Sequence, residues 1–169
     1  ADHRPAGPLR GGKYSMYEGG TRVPFILSWR GRVEPGESSA LVSQIDLFAS
    51  LAAMLEQPLS SDAALDSFNV SPALLGKSST GRKELATEGS SGKIILHQEN
   101  WVFIPPYQGP AVNVYTNIEL GNSSEAQLYN LDEDIGQRKN VAAQYPSIVE
   151  QMSNRLKDIL KSKATRPDC

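Results

Sequence analysis

The most constraining feature of this sequence is the segment GPLRGGKYSMYEGGTRVPFILSW (7–29), in which glycine pairs at 11–12 and 19–20 surround a lysine, Lys13. The segment ends in an apolar stretch, VPFILSW. Glycine allows close backbone approaches that a Cβ would block. From the spacing alone, Lys13 is either an ordinary solvated loop lysine or a cation that the glycine-rich loop holds in a defined place.

The apolar stretch RVPFILSWRG (22–31) is short and rich in Ile, Phe and Trp, so it predicts a buried strand at Val23 to Trp29. An amphipathic helix that ends at Pro58 is predicted next. A strand followed by a helix is a βα unit, which needs neighbouring strands. Because the chain opens on a loop-like sequence without Met, we expect a fragment whose sheet partners lie upstream of Ala1. The apolar positions of the helix are Leu41, Ile45, Phe48, Leu51, Ala52 and Leu55.

The second half of the chain has a different pattern. A helix is predicted from Pro146 to Lys161, with proline suited to its first turn. The predicted fold class is α+β: a small antiparallel β-sheet of about four strands packed by this C-terminal helix, preceded by a strand–helix remnant of a larger α/β domain. The expected division is 1–58, a connection at 59–81, and 82–169. The four strand candidates are KELATEG, GKIILHQ, NWVFIPP and AQLYNLDED, of which the second and third predict an antiparallel hairpin.

Composition excludes several classes of function. The formal net charge is −2 with scattered basic residues, which gives no basic stripe for nucleic acid. No apolar run approaches the roughly 18 residues of a membrane span, so neither a nucleic-acid nor a membrane partner is expected. The histidines, His3 and His97, are far apart, and the lone Cys169 is the last residue. We therefore expect no metal site built by this chain.

Several motifs, in order along nearly the whole chain, resemble the C-terminal third of a bacterial arylsulfatase of the sulfatase family, in the alkaline phosphatase superfamily. They are GPLRGGKYSMYEGGTRVPFILSWRG, SQIDLFASLAAML, NWVFIPP, TNIELGN and QLYNLDEDIGQRKNVA. The most specific are the GGK…YEGGTRVP block and LYNLDEDIGQRKNVA. The family often has proline where this chain has Ile135, which we interpret as a harmless change in a surface turn.

The resemblance implies a sulfuric ester hydrolase acting on a sulfated small molecule or carbohydrate, with Lys13 binding the sulfate group. His3 and Arg4 sit where the family brings a variable loop near the ester, so they are weak substrate-binding candidates, with a frayed terminus as the alternative. Glu18 and Arg22 flank Gly19-Gly20 and are expected to pair and support the loop, with direct substrate contact as the alternative.

Three further residues have side chains of a kind that could act at the site: Trp101, Tyr107 and His97. Trp101 and Tyr107 could stack on a sugar ring, although Trp101 fits a core position better. His97 alternates with Ile95 along a predicted strand and is expected to be a surface or satisfied core histidine.

Parts of the family's chemistry are missing from this sequence. The family nucleophile is a formylglycine made within a C/S-x-P-S/A-R motif, which does not occur here. The resemblance implies that the intact enzyme contains calcium and formylglycine and that it is periplasmic or secreted. The isolated chain should be inactive. A non-catalytic binding or oligomerisation module and a phosphonate or phosphate monoester hydrolase are the alternatives. Self-association of the fragment is also expected.

Overall fold

In the computed structural model, residues 5–89 and 92–166 are described. The chain divides into two compact units. One, the sheet unit, comprises Ala1–Pro24 and Ala86–Lys157; the other, the helical unit, comprises Phe25–Leu85 and Asp158–Cys169. The elements are α1 Glu18–Thr21, α2 Asp46–Met54, α3 Ser71–Leu74, β1 Glu84–Glu88, β2 Ile94–Gln98, β3 Trp101–Ile104, β4 Val112–Asn113, β5 Ile118–Glu119, β6 Gln127–Asn130 and α4 Pro146–Lys161.

A four-stranded sheet with the order β1-β2-β3-β6 forms the centre of the sheet unit. β2 and β3 pair antiparallel, with Leu96 opposite Phe103, so the predicted hairpin is confirmed. β3 also pairs antiparallel with β6, with Val102 opposite Tyr129. The middle strands are buried along most of their length because they are apolar at successive positions and have a neighbour on each side.

The C-terminal helix α4 has the bounds that its sequence pattern predicts, Pro146–Lys161. Met152 and Leu156, one turn apart, are its buried residues. The helical repeat places both on one face. The α+β fold class, with a four-stranded antiparallel sheet and a C-terminal helix, is confirmed.

Helix α2 is shorter than its apolar pattern predicts, and two of the three residues that it buries are polar. It begins at Asp46, after Leu41 and Ile45. Its buried residues include Asp46 and Ser50, whereas four of the predicted apolar positions are exposed. The described residues therefore leave most of the predicted apolar face uncovered. The exposed side chains are Ile45, Phe48, Leu51 and Leu55.

The buried polar face of α2 is satisfied by hydrogen bonds. The carboxylate of Asp46 accepts from the guanidinium of Arg82, with an Nη2–Oδ1 distance of 2.6 Å, and from the Phe68 N–H at 2.9 Å. The hydroxyl of Ser50 accepts from the Val70 N–H at 3.0 Å. Because these groups are paired, the helical unit can bury polar side chains here.

The predicted buried strand at Val23 to Trp29 is not formed in the part of the chain that the structure describes. Residues 22–29 have no regular secondary structure, and Ile26 is 92% exposed. A strand exists only when a neighbouring segment completes its hydrogen-bond ladder. No described residue pairs with this stretch, so the sequence pattern alone cannot make it a strand. The predicted division at 58 and 82 stays a prediction.

A second, two-stranded sheet pairs β4 with β5 in the sheet unit. Val112 lies opposite Glu119, and Asn113 opposite Ile118. This small hairpin matters for the site because β5 and the residue after it contact the loop that carries Lys13. Among the described residues, no helix has the length and apolar character needed to cross a membrane.

Candidate functional site

Residues 9–22, which we call the Lys13 loop, fold back on themselves in the sheet unit. The Gly19 N–H donates to the Arg10 carbonyl at 2.8 Å, which closes the loop. A turn inside it is formed by the Ser15 N–H and the Gly12 carbonyl, also at 2.8 Å. The loop is fixed to the small hairpin by a 3.0 Å hydrogen bond from the Met16 N–H to the carbonyl of Leu120, directly after β5.

The glycines are required by close backbone approaches within this loop. A Cβ on Gly20 would lie 2.3 Å from the Ser15 carbonyl oxygen, and one on Gly19 would lie 2.5 Å from the Arg10 carbonyl oxygen. Gly11 has a φ of +81°. Since backbone oxygens cannot retreat cheaply, only glycine fits at these positions. The glycines around Lys13 therefore serve the fold of the loop.

Lys13 itself is exposed at the outer side of the loop. Its Nζ lies 4.9 Å from the ring centroid of Tyr14, whose φ is +75°. Within residues 5–89 and 92–166, Lys13 forms no ion pair with a carboxylate. The structure thus presents an ammonium group, on a closed loop, that is available to an anion.

Arg10 fixes the start of the Lys13 loop. Its guanidinium makes two hydrogen bonds to the carboxylate of Glu119 in β5, Nη2–Oε1 at 2.6 Å and Nε–Oε2 at 3.0 Å. Its Nη1 donates to the Gln137 carbonyl at 2.8 Å, and the guanidinium lies 4.1 Å from the Tyr17 ring centroid. The hydrogen bonds from Arg10 hold the pKa of Glu119 below its usual value. Sequence reasoning missed Arg10, although it directly precedes the first glycine pair.

The predicted pair of Glu18 and Arg22 is present, with Arg22 Nε 2.9 Å from Glu18 Oε2. Glu18 is buried in the short helix α1, and Arg22 is half-exposed. Burial raises the pKa of Glu18, and the nearby Arg22 charge opposes that shift. The pair lies at the end of the Lys13 loop, where the prediction placed its supporting role.

His97, in β2, is a buried histidine that faces Glu18. Its Nε2 lies 3.5 Å from Glu18 Oε1, an oxygen that makes no hydrogen bond to the described residues. Desolvation, with a contribution from the Arg22 charge, lowers the pKa of His97 to about 4. His97 is therefore neutral near pH 7 and extends the polar cluster at the end of the loop. The sequence pattern identified a core histidine as one alternative but gave no indication of this contact.

Tyr17, in the Lys13 loop, joins a buried hydrogen-bond network with Gln127 and Tyr129. The hydroxyls of Tyr17 and Tyr129 both donate to Gln127 Oε1, at 2.9 and 2.8 Å. Gln127 Nε2 donates to the Gly121 carbonyl at 2.7 Å. Burial raises the pKa of Tyr129 above its usual value. All three side chains are buried, so the loop rests on a paired polar network inside an apolar core.

The two aromatic candidates for sugar stacking are engaged within the fold. The half-buried ring of Trp101 lies 5.2 Å from that of Tyr145, centroid to centroid. The Tyr107 hydroxyl donates to the Ile94 carbonyl at 2.8 Å and accepts from its N–H at 2.9 Å. The remaining two candidates, His3 and Arg4, lie outside the described residues.

No group of three or more His, Cys, Asp or Glu residues that could hold a metal ion occurs among residues 5–89 and 92–166. What the Lys13 loop offers chemically is an exposed ammonium group, that of Lys13, which has no ion-pair partner among the described residues.

A sequence model of the sulfatase family matches residues 1–56, which include the whole Lys13 loop. Over 93% of the chain, the sequence is 45% identical to the N-acetylgalactosamine-6-O-sulfatase of Bacteroides thetaiotaomicron. The chain belongs to the sulfatase family. This sulfatase chain spans 31% of the length of that relative.

Two further similarities agree with the family assignment. Human arylsulfatase A is 42% identical over 47% of this chain, a match that spans 16% of that enzyme. A solved structure from work on glycosaminoglycan metabolism by Bacteroides thetaiotaomicron matches 94% of this sulfatase chain with a TM-score of 0.90 and 44% identity. The matched region is 33% of that solved chain. The sulfatase chain thus shares the fold of a segment that makes up about one third of the length of that solved chain.

Proposed function

We propose that the protein containing this chain hydrolyses sulfate esters and that Lys13 binds the sulfate group. The observation that carries the proposal is the geometry of Lys13: an exposed ammonium without a carboxylate partner among the described residues, on a loop closed by glycine contacts. The family match over 1–56 covers this loop. The intact enzyme is proposed to work in the periplasm or outside the cell.

The chemistry of sulfate esters suits such a cation. Cleavage of the S–O ester bond places negative charge on the leaving oxygen and on the sulfuryl oxygens. A fixed ammonium group stabilises that charge without reorganising during the reaction. Since the braced loop is already ordered by its own hydrogen bonds, Lys13 can bind the sulfate in one place.

The other parts of the reaction are proposed to come from outside this chain. Its sequence contains no C/S-x-P-S/A-R motif for a formylglycine nucleophile. Its described residues form no calcium site. Both groups are therefore assigned to the remainder of the intact protein, and the 169-residue chain by itself is expected to be inactive.

The proposed substrate class is a sulfated carbohydrate. It is supported by the name of the 45% identical relative, an N-acetylgalactosamine-6-O-sulfatase. An aryl sulfate is the general probe, because it reports S–O cleavage without the sugar contacts. Hydrolysis of a 6-sulfated galactosamine then tests whether the enzyme accepts a sulfated carbohydrate as substrate.

The experiment compares the full-length protein with its Lys13→Ala and Lys77→Ala variants on an aryl sulfate, a 6-sulfated galactosamine and an aryl phosphate. Lys77 is an exposed lysine of the helical unit and serves as the control. Loss of one electrostatic contact to a developing charge typically lowers kcat about 10²- to 10³-fold, so Lys13→Ala should show a loss of that order.

Each other outcome contradicts part of the proposal. Wild-type kinetics in Lys13→Ala would remove Lys13 from the site. Preference for the aryl phosphate would indicate a phosphate monoester hydrolase. Absence of any hydrolysis by the full-length protein would favour a non-catalytic binding module.

A further inference from the structure

We infer that Gln137 is a positioning residue for Lys13: it holds both ends of the Lys13 loop and so determines where the ammonium group lies. The inference rests on the proposed function, since it assumes that Lys13 binds the sulfate. Gln137 itself is completely buried, so we expect it to act through the loop and not by touching the substrate.

Gln137 contacts the Lys13 loop on both sides of the lysine. Its backbone carbonyl accepts a hydrogen bond from Arg10 Nη1 at 2.8 Å. Its side-chain Oε1 accepts from the backbone N–H of Glu18 at 2.7 Å. Arg10 lies three residues before Lys13 and Glu18 five residues after it. One residue therefore binds the loop on both sides of Lys13, in addition to the hydrogen bond between Gly19 and Arg10 that closes the loop.

The backbone of Gln137 is itself held in place. It has a φ of +48°, in the left-handed region, and its N–H donates to the Asp134 carbonyl at 2.9 Å. The carboxylate of Asp134 then accepts from the N–H groups of Arg138 and Lys139, at 2.6 and 2.8 Å. The turn in LDEDIGQRKNVA thus presents the Gln137 carbonyl and side chain in fixed directions.

The orientation of the Gln137 amide follows from its partner. The Glu18 N–H is a donor, so it requires the oxygen of the amide and excludes a flipped NH₂ group. Nε2 makes no hydrogen bond to the described residues. The side chain is consequently held by its bond to the Lys13 loop and by burial.

Loss of the Gln137 oxygen should act on catalysis through Lys13. The buried Glu18 N–H would lose its acceptor, and a buried amide without a partner is costly, so the loop should shift to find one. A displacement of about 1 Å at a catalytic group can lower turnover up to about 100-fold. The expected effect is therefore on kcat, although Gln137 does not touch the substrate.

The test uses the full-length protein with Gln137→Leu, which removes the acceptor, and Gln137→Glu, which keeps an acceptor oxygen of similar reach. Asn140→Leu is the control, since Asn140 is an amide of the same segment that bonds Leu128 and Ala142 and not the Lys13 loop. Hydrolysis of an aryl sulfate is measured for each variant in the wild-type and in the Lys13→Ala background, together with the thermal midpoint.

Gln137→Leu should lower kcat about 10- to 100-fold in the wild-type background and less than about threefold in the Lys13→Ala background, because the effect passes through Lys13. Gln137→Glu should restore most of the activity, and Asn140→Leu should leave it near wild type. If Gln137→Leu does not fold, Gln137→Asn, which withdraws the amide by one methylene, should show the same dependence on Lys13.

Equal fold losses in both backgrounds would overturn the inference, because they would show a structural effect independent of Lys13. Wild-type kcat in Gln137→Leu would also overturn it, while a large loss in Lys13→Ala would leave the proposed function standing. Wild-type kcat in Lys13→Ala would overturn the role of Lys13 in the proposed function and the inference with it.

Discussion

The guanidinium of Arg10 and the carboxylate of Glu119 meet in two parallel hydrogen bonds, of 2.6 and 3.0 Å, across 109 residues of sequence. This pair joins the start of the Lys13 loop to β5. Such fork-like pairing fixes direction as well as distance. The small hairpin β4–β5 therefore acts as a rigid support beside the candidate sulfate-binding lysine.

Glu119→Gln should weaken this support modestly. The Glu119 side chain is 41% exposed, so the expected loss in the free energy of unfolding is only about 0.5–1 kcal/mol at neutral pH. Because Arg10 depresses the pKa of Glu119, the contribution is present above the unfolded pKa and is lost as pH falls through the folded value. Urea unfolding at several pH values checks this. Glu125→Gln, at an exposed position, is the control; equal losses in the two variants would contradict the prediction.

Gly20→Ala should distort the Lys13 loop. The added Cβ would lie 2.3 Å from the Ser15 carbonyl oxygen, which is backbone and cannot move without its neighbours. We expect a loss of about 1–3 kcal/mol in the free energy of unfolding and a clear fall in kcat of the intact enzyme. In Gly36→Ala the new Cβ meets nothing within 4 Å, so this matched control should behave like the wild type. A fully active Gly20→Ala enzyme would show that the loop tolerates the displacement.

Arg22→Met should leave the Glu18 carboxylate buried without its cation. Since Arg22 is half-exposed, the expected loss is about 1–3 kcal/mol at pH 7, below the range for fully buried pairs. Burial already raises the pKa of Glu18, and removal of Arg22 should raise it further. The loss should therefore shrink on acidification, and Glu18→Gln in the same protein should recover stability. Thermal unfolding of the single and double variants is the measurement; a loss that does not change with pH would argue against the pair.

His97 should make the protein sensitive to mild acid. Its pKa is lowered from 6.5 to about 4 by desolvation and by the Arg22 charge, so folding favours the neutral ring. Its contribution is intact above pH 6.5 and declines as pH falls towards 4, by up to about 3 kcal/mol. Glu18 has a raised pKa, so its protonation makes the folded state more stable as pH falls. This effect is present in both the wild type and the variant.

The measurement for His97 is the difference in unfolding free energy between wild type and His97→Gln from pH 7 to pH 4. The wild type should lose more stability than the variant over this interval. Parallel pH profiles would show that His97 accepts a proton without cost, for instance by pairing with Glu18.

The isolated 169-residue chain should self-associate through the apolar face of α2. Phe48 and Leu51 are 58% and 53% exposed on that face. Phe48→Ser with Leu51→Ser should lower the association, whereas Leu160→Ser, at an exposed position of α4, should not. Sedimentation velocity over a range of concentrations distinguishes these cases. A monomer at every concentration would contradict the prediction.

The elements whose partners lie within the chain could be predicted from sequence. The β2–β3 hairpin and α4 follow from their apolar patterns because their neighbours are present and bury those patterns. The predicted strand at Val23 to Trp29 and the apolar face of α2 carry equally clear patterns, yet most of their large apolar side chains are exposed among the described residues. A hydrophobic pattern shows which face of a segment can be buried. Whether that face is buried depends on a partner segment that packs against it.

The site shows the same limit. Lys13 could be proposed from the family resemblance of its motif, and the Glu18–Arg22 pair from its spacing around Gly19-Gly20. Arg10 and Gln137 could not, since their hydrogen bonds join positions 127 residues apart. A contact between residues so far apart in the sequence leaves no local pattern. Gln137 also lies in a turn whose polar residues predict a surface position.

The separation of Arg10 from Gln137 also has a consequence for the order of events during protein synthesis. The Lys13 loop is translated before Gln137, whose carbonyl and amide oxygens accept hydrogen bonds from residues 127 and 119 positions earlier in the sequence. Closing so long a chain segment is entropically expensive and comes late in folding. While the ribosome is still translating the residues between them, the nascent loop has no acceptor for the Glu18 N–H. The lysine should reach its final position only after the turn at Gln137 has left the exit tunnel.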